Sequence, residues 1–322
     1  MKRLIVLIFT AGALFAQVDQ FQLLIARGLS LDHFGDYPGA IKTFREALAL
    51  AEQRQLGDWA QATTLNSLAM SYDEMGQPAE AMHLYRRSLA LIEKVKGKNG
   101  IDYATVLGNL AADYSHTGQP AVAETLLRET LRIFEAATPR DEIRLAITQS
   151  ILAPIVLASG KWQEGEQLLL SCIATLEKTP GNERQLPAAL NNLGVLRREQ
   201  KRFGEAADLF RKTVQVLEAE YGPDHTKLIQ ALNNLALVMF ESGHPTEAGP
   251  LMERAMVIAD KGRRTEHKSY GALLLNYAQY LRKTGRKSEA KQYERQGKDV
   301  ITNAARSNGV GQTVDVLSFR GR

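Results

Sequence analysis

Residues 232–252 read LNNLALVMFESGHPTEAGPLM. Before Gly243, the residues Leu232, Leu235, Ala236 and Met239 stand at i, i+3, i+4 and i+7, which is one stripe of an α-helix. After it, Ala248 and Met252 keep helical spacing, and Pro245 stands where a first-turn residue needs no N–H. The stretch therefore predicts two amphipathic helices joined at a glycine, with small Ala236 and Ala248 where the backbones come closest.

Outward from this stretch the same register recurs. Gly35, Gly76, Gly118, Gly160, Gly243 and Gly285 are separated by 41, 42, 42, 83 and 42 residues, and Lys201 falls inside the long interval, 41 residues after Gly160. One unit carries Leu65, Leu68, Ala69, Tyr72, Ala81 and Tyr85; another carries Leu107, Leu110, Ala111, Tyr114, Ala123 and Leu127; a third carries Leu190, Leu193, Gly194, Ala206 and Phe210. Self-similarity at a fixed period of about 20–50 residues marks a solenoid, in which each unit buries its apolar face against its neighbours. Seven units in tandem follow.

The pattern large-x2-Leu-small-x2-Tyr, then small-x3-aromatic, resembles the tetratricopeptide repeat. The period near 42, with Leu190-Asn191-Asn192-Leu193-Gly194, Leu232-Asn233-Asn234-Leu235-Ala236 and Gly222-Pro223-Asp224-His225, resembles the longer variety of kinesin light chains. Against the usual repeat of about 34 residues, eight more lengthen each unit by about 12 Å of helix. The resemblance implies an all-α fold, a right-handed α-α superhelix (solenoid) of about seven helix-turn-helix repeats.

Local signals agree. Pro78, Pro120 and Pro245 open second helices, whereas Tyr37, Trp162 and Phe203 take that place elsewhere and read as packing residues. Thr138-Pro139, Thr179-Pro180-Gly181 and Gly222-Pro223 mark turns between units. The fourth unit departs from the pattern, with Pro154 inside its first helix and Gly165 in place of the usual Ala, and reads as a bend. Pro250 predicts a milder kink.

Lys2-Arg3, the apolar run Leu4 to Phe15 and Ala16-Gln17 read as a secretory signal peptide over 1–16, with Ala13 as an alternative cleavage point. The array then runs over 17–302, and 303–322 is a C-terminal tail, with a Ser307-Asn308-Gly309 linker and an apolar-rich Thr313–Phe319. The expected location is the periplasm or the outside of a bacterium. No transmembrane segment is expected in the mature chain, because the leader run is too short to span a bilayer.

A single cysteine, Cys172, excludes an intramolecular disulfide and a thiolate metal cluster, and its register makes it a buried packing thiol. Residues 17–260 hold 24 basic and 31 acidic side chains, whereas 261–322 hold 14 and 5, so the C-terminal end is basic. That end reads as a solvated cap or as an electrostatic contact for an anionic surface. Nucleic acid is not expected as a partner, since the basic residues are not interleaved with stacking aromatics.

No catalytic constellation stands out. His33, His83, His116, His225, His244 and His267 form no HExxH pair, and no phosphate loop, nucleophile elbow or zinc cluster occurs. His225 reads as a loop or cap residue at the entry to a repeat. The expectation is a non-enzyme without metal or cofactor.

What remains is the surface between repeats. Asn109, Asn192, Asn234 and Asn276 share one register, nine residues before the marker, and Asn66, Asn191 and Asn233 form a second column one residue earlier. At about 100° per residue, Asn234 lies about 150° from the stripe that packs on its own partner helix. By the resemblance, first helices line a concave groove and such asparagines bind a ligand's main chain. An amide can donate to and accept from an extended peptide. The alternative is an internal ladder between repeats. Met70, Val195, Leu237 and Phe240 share that face, with Glu74, Glu199, Glu241 and Lys283 at its rim. The function expected is a protein- or peptide-binding scaffold, or alternatively a self-associating structural module of the cell envelope.

Overall fold

The computed structural model describes residues 20–179, 181, 185–261 and 268–307. The expected signal peptide, Pro180 of one inter-repeat turn, and the tail beyond Ser307 lie outside these residues. Every regular element among the described residues is a helix. They are α1 (20–33), α2 (Tyr37–Gln53), α3 (Asp58–Glu74), α4 (Pro78–Lys96), α5 (Ile101–His116), α6 (Pro120–Ala136) and α7 (Glu142–Ala158). Then follow α8 (Trp162–Glu177), α9 (Leu186–Glu199), α10 (Phe203–Tyr221), α11 (Leu228–Glu241), α12 (Pro245–Lys261), α13 (Lys268–Lys283) and α14 (Lys287–Ser307). Consecutive helices pack as hairpins, α3/α4 through α13/α14, and α1 meets α2 where a Cβ on Gly28 would fall 2.5 Å from Phe44 Cε1, which makes seven among the described residues.

The period is set by the backbone at the turn inside each hairpin. All six marker glycines sit in the left-handed region, at φ between 72° and 90°, and Lys201 sits there too at φ 59°. Each closes the preceding helix in the same way: the next N–H reaches back five residues, as Gln77 N does to the Tyr72 carbonyl at 2.9 Å and His244 N to Met239 at 2.8 Å. This satisfies carbonyls that the helix end leaves open and demands a residue tolerant of positive φ. The recurrence of glycine is therefore the recurrence of one C-cap.

The chain divides into two compact units, Met1–Asp141 and Glu142–Arg322. In the first, Ala40, Phe44, Leu65, Leu68, Ala69, Ala81, Tyr85, Leu107 and Leu110 are buried in one core. In the second, one core gathers Leu169, Cys172, Leu190 and Leu193, and another Phe210, Leu232, Leu235, Ala236, Met252, Leu273 and Tyr277. The stripes read from the sequence are thus the buried faces. At about 1.5–3 kcal/mol for each buried Leu, Val or Phe, these seams are the main favourable term.

Hairpins are also joined to one another at a repeated point. The residue after the second-helix aromatic reaches the Tyr-register residue of the next repeat: Arg45 Nη2 donates to Tyr72 Oη, and Arg86 Nη2 to Tyr114 Oη at 2.8 Å. Arg211 Nη2 meets Met239 Sδ at 3.7 Å; in the last repeat, where Leu281 takes the Tyr register, Tyr277 one turn earlier donates from Oη to Glu253 Oε1 at 2.9 Å. A buried hydroxyl needs a partner, and the preceding hairpin supplies it.

In the fourth repeat α7 continues through Pro154, and in the sixth α12 continues through Pro250. Gly165 has a reason of its own, since a Cβ there would fall 2.4 Å from Leu157 Cγ. The helical pattern of α14 runs to Ser307, five residues past the boundary expected at 302. Ala304-Ala305-Arg306 are strong helix formers, and the first glycine after them is Gly309.

Candidate functional site

First helices of successive repeats lie beside each other within each unit. That places the asparagine columns side by side. Asn109 Nδ2 donates to Asn66 Oδ1 at 3.2 Å, Asn234 Nδ2 to Asn191 Oδ1 at 2.8 Å, and Asn276 Nδ2 to Asn233 Oδ1 at 3.1 Å. Asn192 Nδ2 reaches the Ser150 carbonyl at 3.5 Å. The two columns therefore form one ladder: each amide of the first column donates to the repeat before it, and three of the four donate to an amide of the second column.

Burial separates these residues into two groups. Asn233 and Asn234 are only 5% and 1% exposed, and Leu237 8%. The expectation that they line an open groove is corrected: α11 is covered at these positions, and the amides spend their hydrogen bonds inside the stack. Asn66, Asn109, Asn191, Asn192 and Asn276 are half-buried, as are Val195 and Phe240, the latter edge-on to Tyr280. Met70 is exposed, and Asn66 Nδ2 meets its Sδ at 3.7 Å.

Two of the half-buried residues border a notch in the second unit. Pro154 and Leu157 of α7, Trp162 of α8, and Asn192, Val195, Leu196 and Glu199 of α9 line it. Its wall is almost wholly apolar, with one amide and one carboxylate at the edge. Trp162 is 45% exposed, which corrects its reading as a packing residue. It opens α8 at the register that proline or another aromatic takes elsewhere, and its indole stays half in solvent beside the notch. The sequence signal was the indole itself at a position where other repeats hold proline.

Beside the notch lies a charged network that the spacing alone did not reveal. Arg197 takes the Tyr register of the fifth repeat yet is 6% exposed. Its guanidinium reaches Glu166 Oε1 at 2.7 Å, Glu205 Oε2 at 3.2 Å and Gln200 Oε1 at 3.0 Å. The hydrogen bond from Arg197 holds the Glu166 carboxyl below the usual carboxylate range. Arg198 pairs with Glu199 at 3.1 Å and Glu241 at 3.3 Å, while its buried Nη1 has no partner among the described residues. Burial pushes Glu241 upward.

Among the described residues, no group of three or more His, Cys, Asp or Glu is placed to hold a metal. No described helix is long and apolar enough to cross a membrane. Burial pushes the Cys172 thiol up to about 12, so it is a packing group rather than a nucleophile. His225 lies in the loop before α11, stacked on Tyr221 at 4.7 Å, and its Nδ1 accepts from Lys227 N at 3.2 Å.

The tetratricopeptide repeat sequence profile matches residues 19–94, 61–136, 144–219, 185–261 and 229–300. The chain belongs to the tetratricopeptide repeat family. No curated protein sequence matches it. Among solved structures, this tetratricopeptide repeat protein is similar to a Rap protein complexed with Competence and Sporulation Factor, with TM-score 0.67, 15% identity and coverage of 89% of this chain and 76% of that one. It is also similar to BtubC (BKLC) from P. vanneervenii, with TM-score 0.55, 18% identity and coverage of 74% and 93%. Nearly identical TPR-like repeats named for a kinesin light chain of Podosopora anserina give TM-score 0.50, 25% identity and coverage of 65% and 98%. The first two identities are low enough that the likeness speaks for the fold.

Proposed function

We propose that this tetratricopeptide repeat protein is a non-enzymatic scaffold that binds a segment of another protein or a peptide, and that the notch beside Trp162 receives an apolar side chain of the guest. The observation that carries this reading is the half-exposed indole bordering an apolar hollow with an amide and a carboxylate at its edge. Such a surface suits a peptide, because an apolar pocket takes a side chain while a few polar groups fix the backbone. The one hydrogen bond that Asn192 makes among the described residues is its donation to Ser150. Its Oδ1 is then able to accept a peptide N–H, so the ladder and guest recognition are compatible at this position. A Rap protein of similar fold has been crystallised with Competence and Sporulation Factor, which supports a guest-binding use of such a fold.

Export belongs to the same proposal and rests on Lys2-Arg3 and the apolar run that follows. A mature N-terminus at Gln17 in the periplasmic or extracellular fraction supports it; an uncleaved chain in the cytoplasm removes it.

Random peptides selected on the full chain test the binding reading, with affinity measured by calorimetry in the parent and the variants alike. Selected peptides should share an apolar anchor and lose about tenfold or more in affinity with Trp162→Ala or Val195→Asp, since a buried anchor is worth about 1.5–3 kcal/mol. If selection yields only peptides indifferent to both changes, while sedimentation shows concentration-dependent self-association, the assembly-module alternative takes its place.

A further inference from the structure

Asp113, on α5, is fully buried, and neither of its carboxylate oxygens has a hydrogen-bond partner among the described residues. A charged carboxylate in that position would lack any compensating donor. The group that acts on it is a second carboxylate, Asp73 of α3, which accepts from Tyr85 Oη of α4 at 3.0 Å. Glu74 of α3 also acts on Tyr85, and among the described residues no lysine, arginine or histidine acts on Asp113.

The preceding repeat shows what this position does. Ser71 and Asp113 each stand five residues before a marker glycine, and Asp32 and Asp73 each stand three before one. Ser71 is likewise buried, and its Oγ donates to Asp32 Oδ1 at 2.7 Å. The first pair of hairpins is thus joined by a hydroxyl donating to a carboxylate. One repeat on, the acceptor is kept and the donor has been replaced by a carboxyl group. A carboxyl can fill a donor's place only when it carries its proton.

We propose that Asp113 binds a proton at neutral pH and donates it to Asp73, so that the second and third repeats are joined by an acid–carboxylate bond that releases when the medium turns alkaline. Burial, and then Asp73, push the Asp113 carboxyl up to about 9. An unfolded aspartate titrates near 3.9, so its stabilising share is complete below about pH 4. That share is lost as pH rises through the folded value, by at most about tenfold in the folding equilibrium per pH unit. The junction of the second and third repeats is therefore firmer in acid than in alkali.

The test uses the full chain with ¹³C-labelled aspartate carboxyls. One resonance should titrate on the alkaline side of neutrality and vanish in Asp113→Asn; if every aspartate carboxyl is deprotonated at pH 7, the proposal fails, and this needs no variant to fold. Unfolding followed from pH 5 to 9 should show Asp113→Asn and Asp113→Ser gaining on the parent protein by up to about tenfold per unit. A difference that stays constant with pH overturns the idea. So does stabilisation of the parent, but not of Asp113→Asn, by calcium, since the two carboxylates would then be holding a cation instead of a proton.

Discussion

Gly194 lies so close to Phe210 that a Cβ built on it falls 2.7 Å from Phe210 Cε1. The small residue in the first helix and the aromatic in the second are one contact, the point at which α9 and α10 touch. Ala206, in the facing small position, is fully buried in the same seam.

Gly194→Ala should therefore cost about 1–3 kcal/mol through overpacking against Phe210. Gly204→Ala is the control, because no atom lies within 4 Å of a Cβ there. It should gain about 0.4–1 kcal/mol from the reduced freedom of the unfolded chain. Chemical denaturation of both variants measures the contrast.

Lys201 holds the left-handed conformation that glycine holds in the other six repeats. Its side chain carries the steric cost of that conformation, so Lys201→Gly should stabilise the chain by up to about 1 kcal/mol. A rise in the denaturation midpoint without a change in its slope is the expected result.

Asn234→Ala removes a 1%-exposed amide and leaves Asn191 Oδ1 without its 2.8 Å donor. The expected loss is about 1–3 kcal/mol. Asn109→Ala, at a half-buried rung where water can replace the lost bond, should cost under about 1 kcal/mol. If the two losses are equal, burial does not set the strength of the ladder.

Arg197 and Glu166 should behave asymmetrically. Glu166→Ala leaves a buried guanidinium short of its nearest partner and should cost about 1–3 kcal/mol, less than the roughly 3–5 kcal/mol of a fully buried broken pair because Glu166 is partly exposed. Arg197→Met should cost less, since Met239 fills the same register one repeat on. The folded Glu166 carboxyl is held below its ordinary value, so its contribution is present above about pH 4.3 and disappears as pH falls through the folded value. Acid titration of stability should show that step in the parent protein and not in Glu166→Gln.

Much of the architecture was legible because a repeat states its rule several times over. Leu65, Leu107, Leu190 and Leu232 are all buried at one register, and the spacing of 3 and 4 residues around them is enough to orient every first helix. The glycine markers were legible for the same reason, since only one backbone conformation closes each helix. The asparagine columns were legible as columns, but their use was not. Sequence places Asn234 on a face; whether the adjacent first helix covers that face depends on how closely two hairpins stack, and here Asn191 meets it at 2.8 Å.

Sequence by itself thus determined the helices, their pairing into hairpins and the residues of each seam, because these are short-range consequences of periodicity and of a left-handed turn. Only the tertiary structure decided which polar side chains face one another across repeats. It left Trp162 open beside α9, gave Arg197 three partners and set Asp113 against Asp73 where Ser71 faces Asp32. The physical reason is that the pairs Arg197–Glu166, Asp113–Asp73 and Ser71–Asp32 join residues some 30 to 40 positions apart on different helices, where burial and the neighbour's chemistry, rather than local propensity, fix what each group must do.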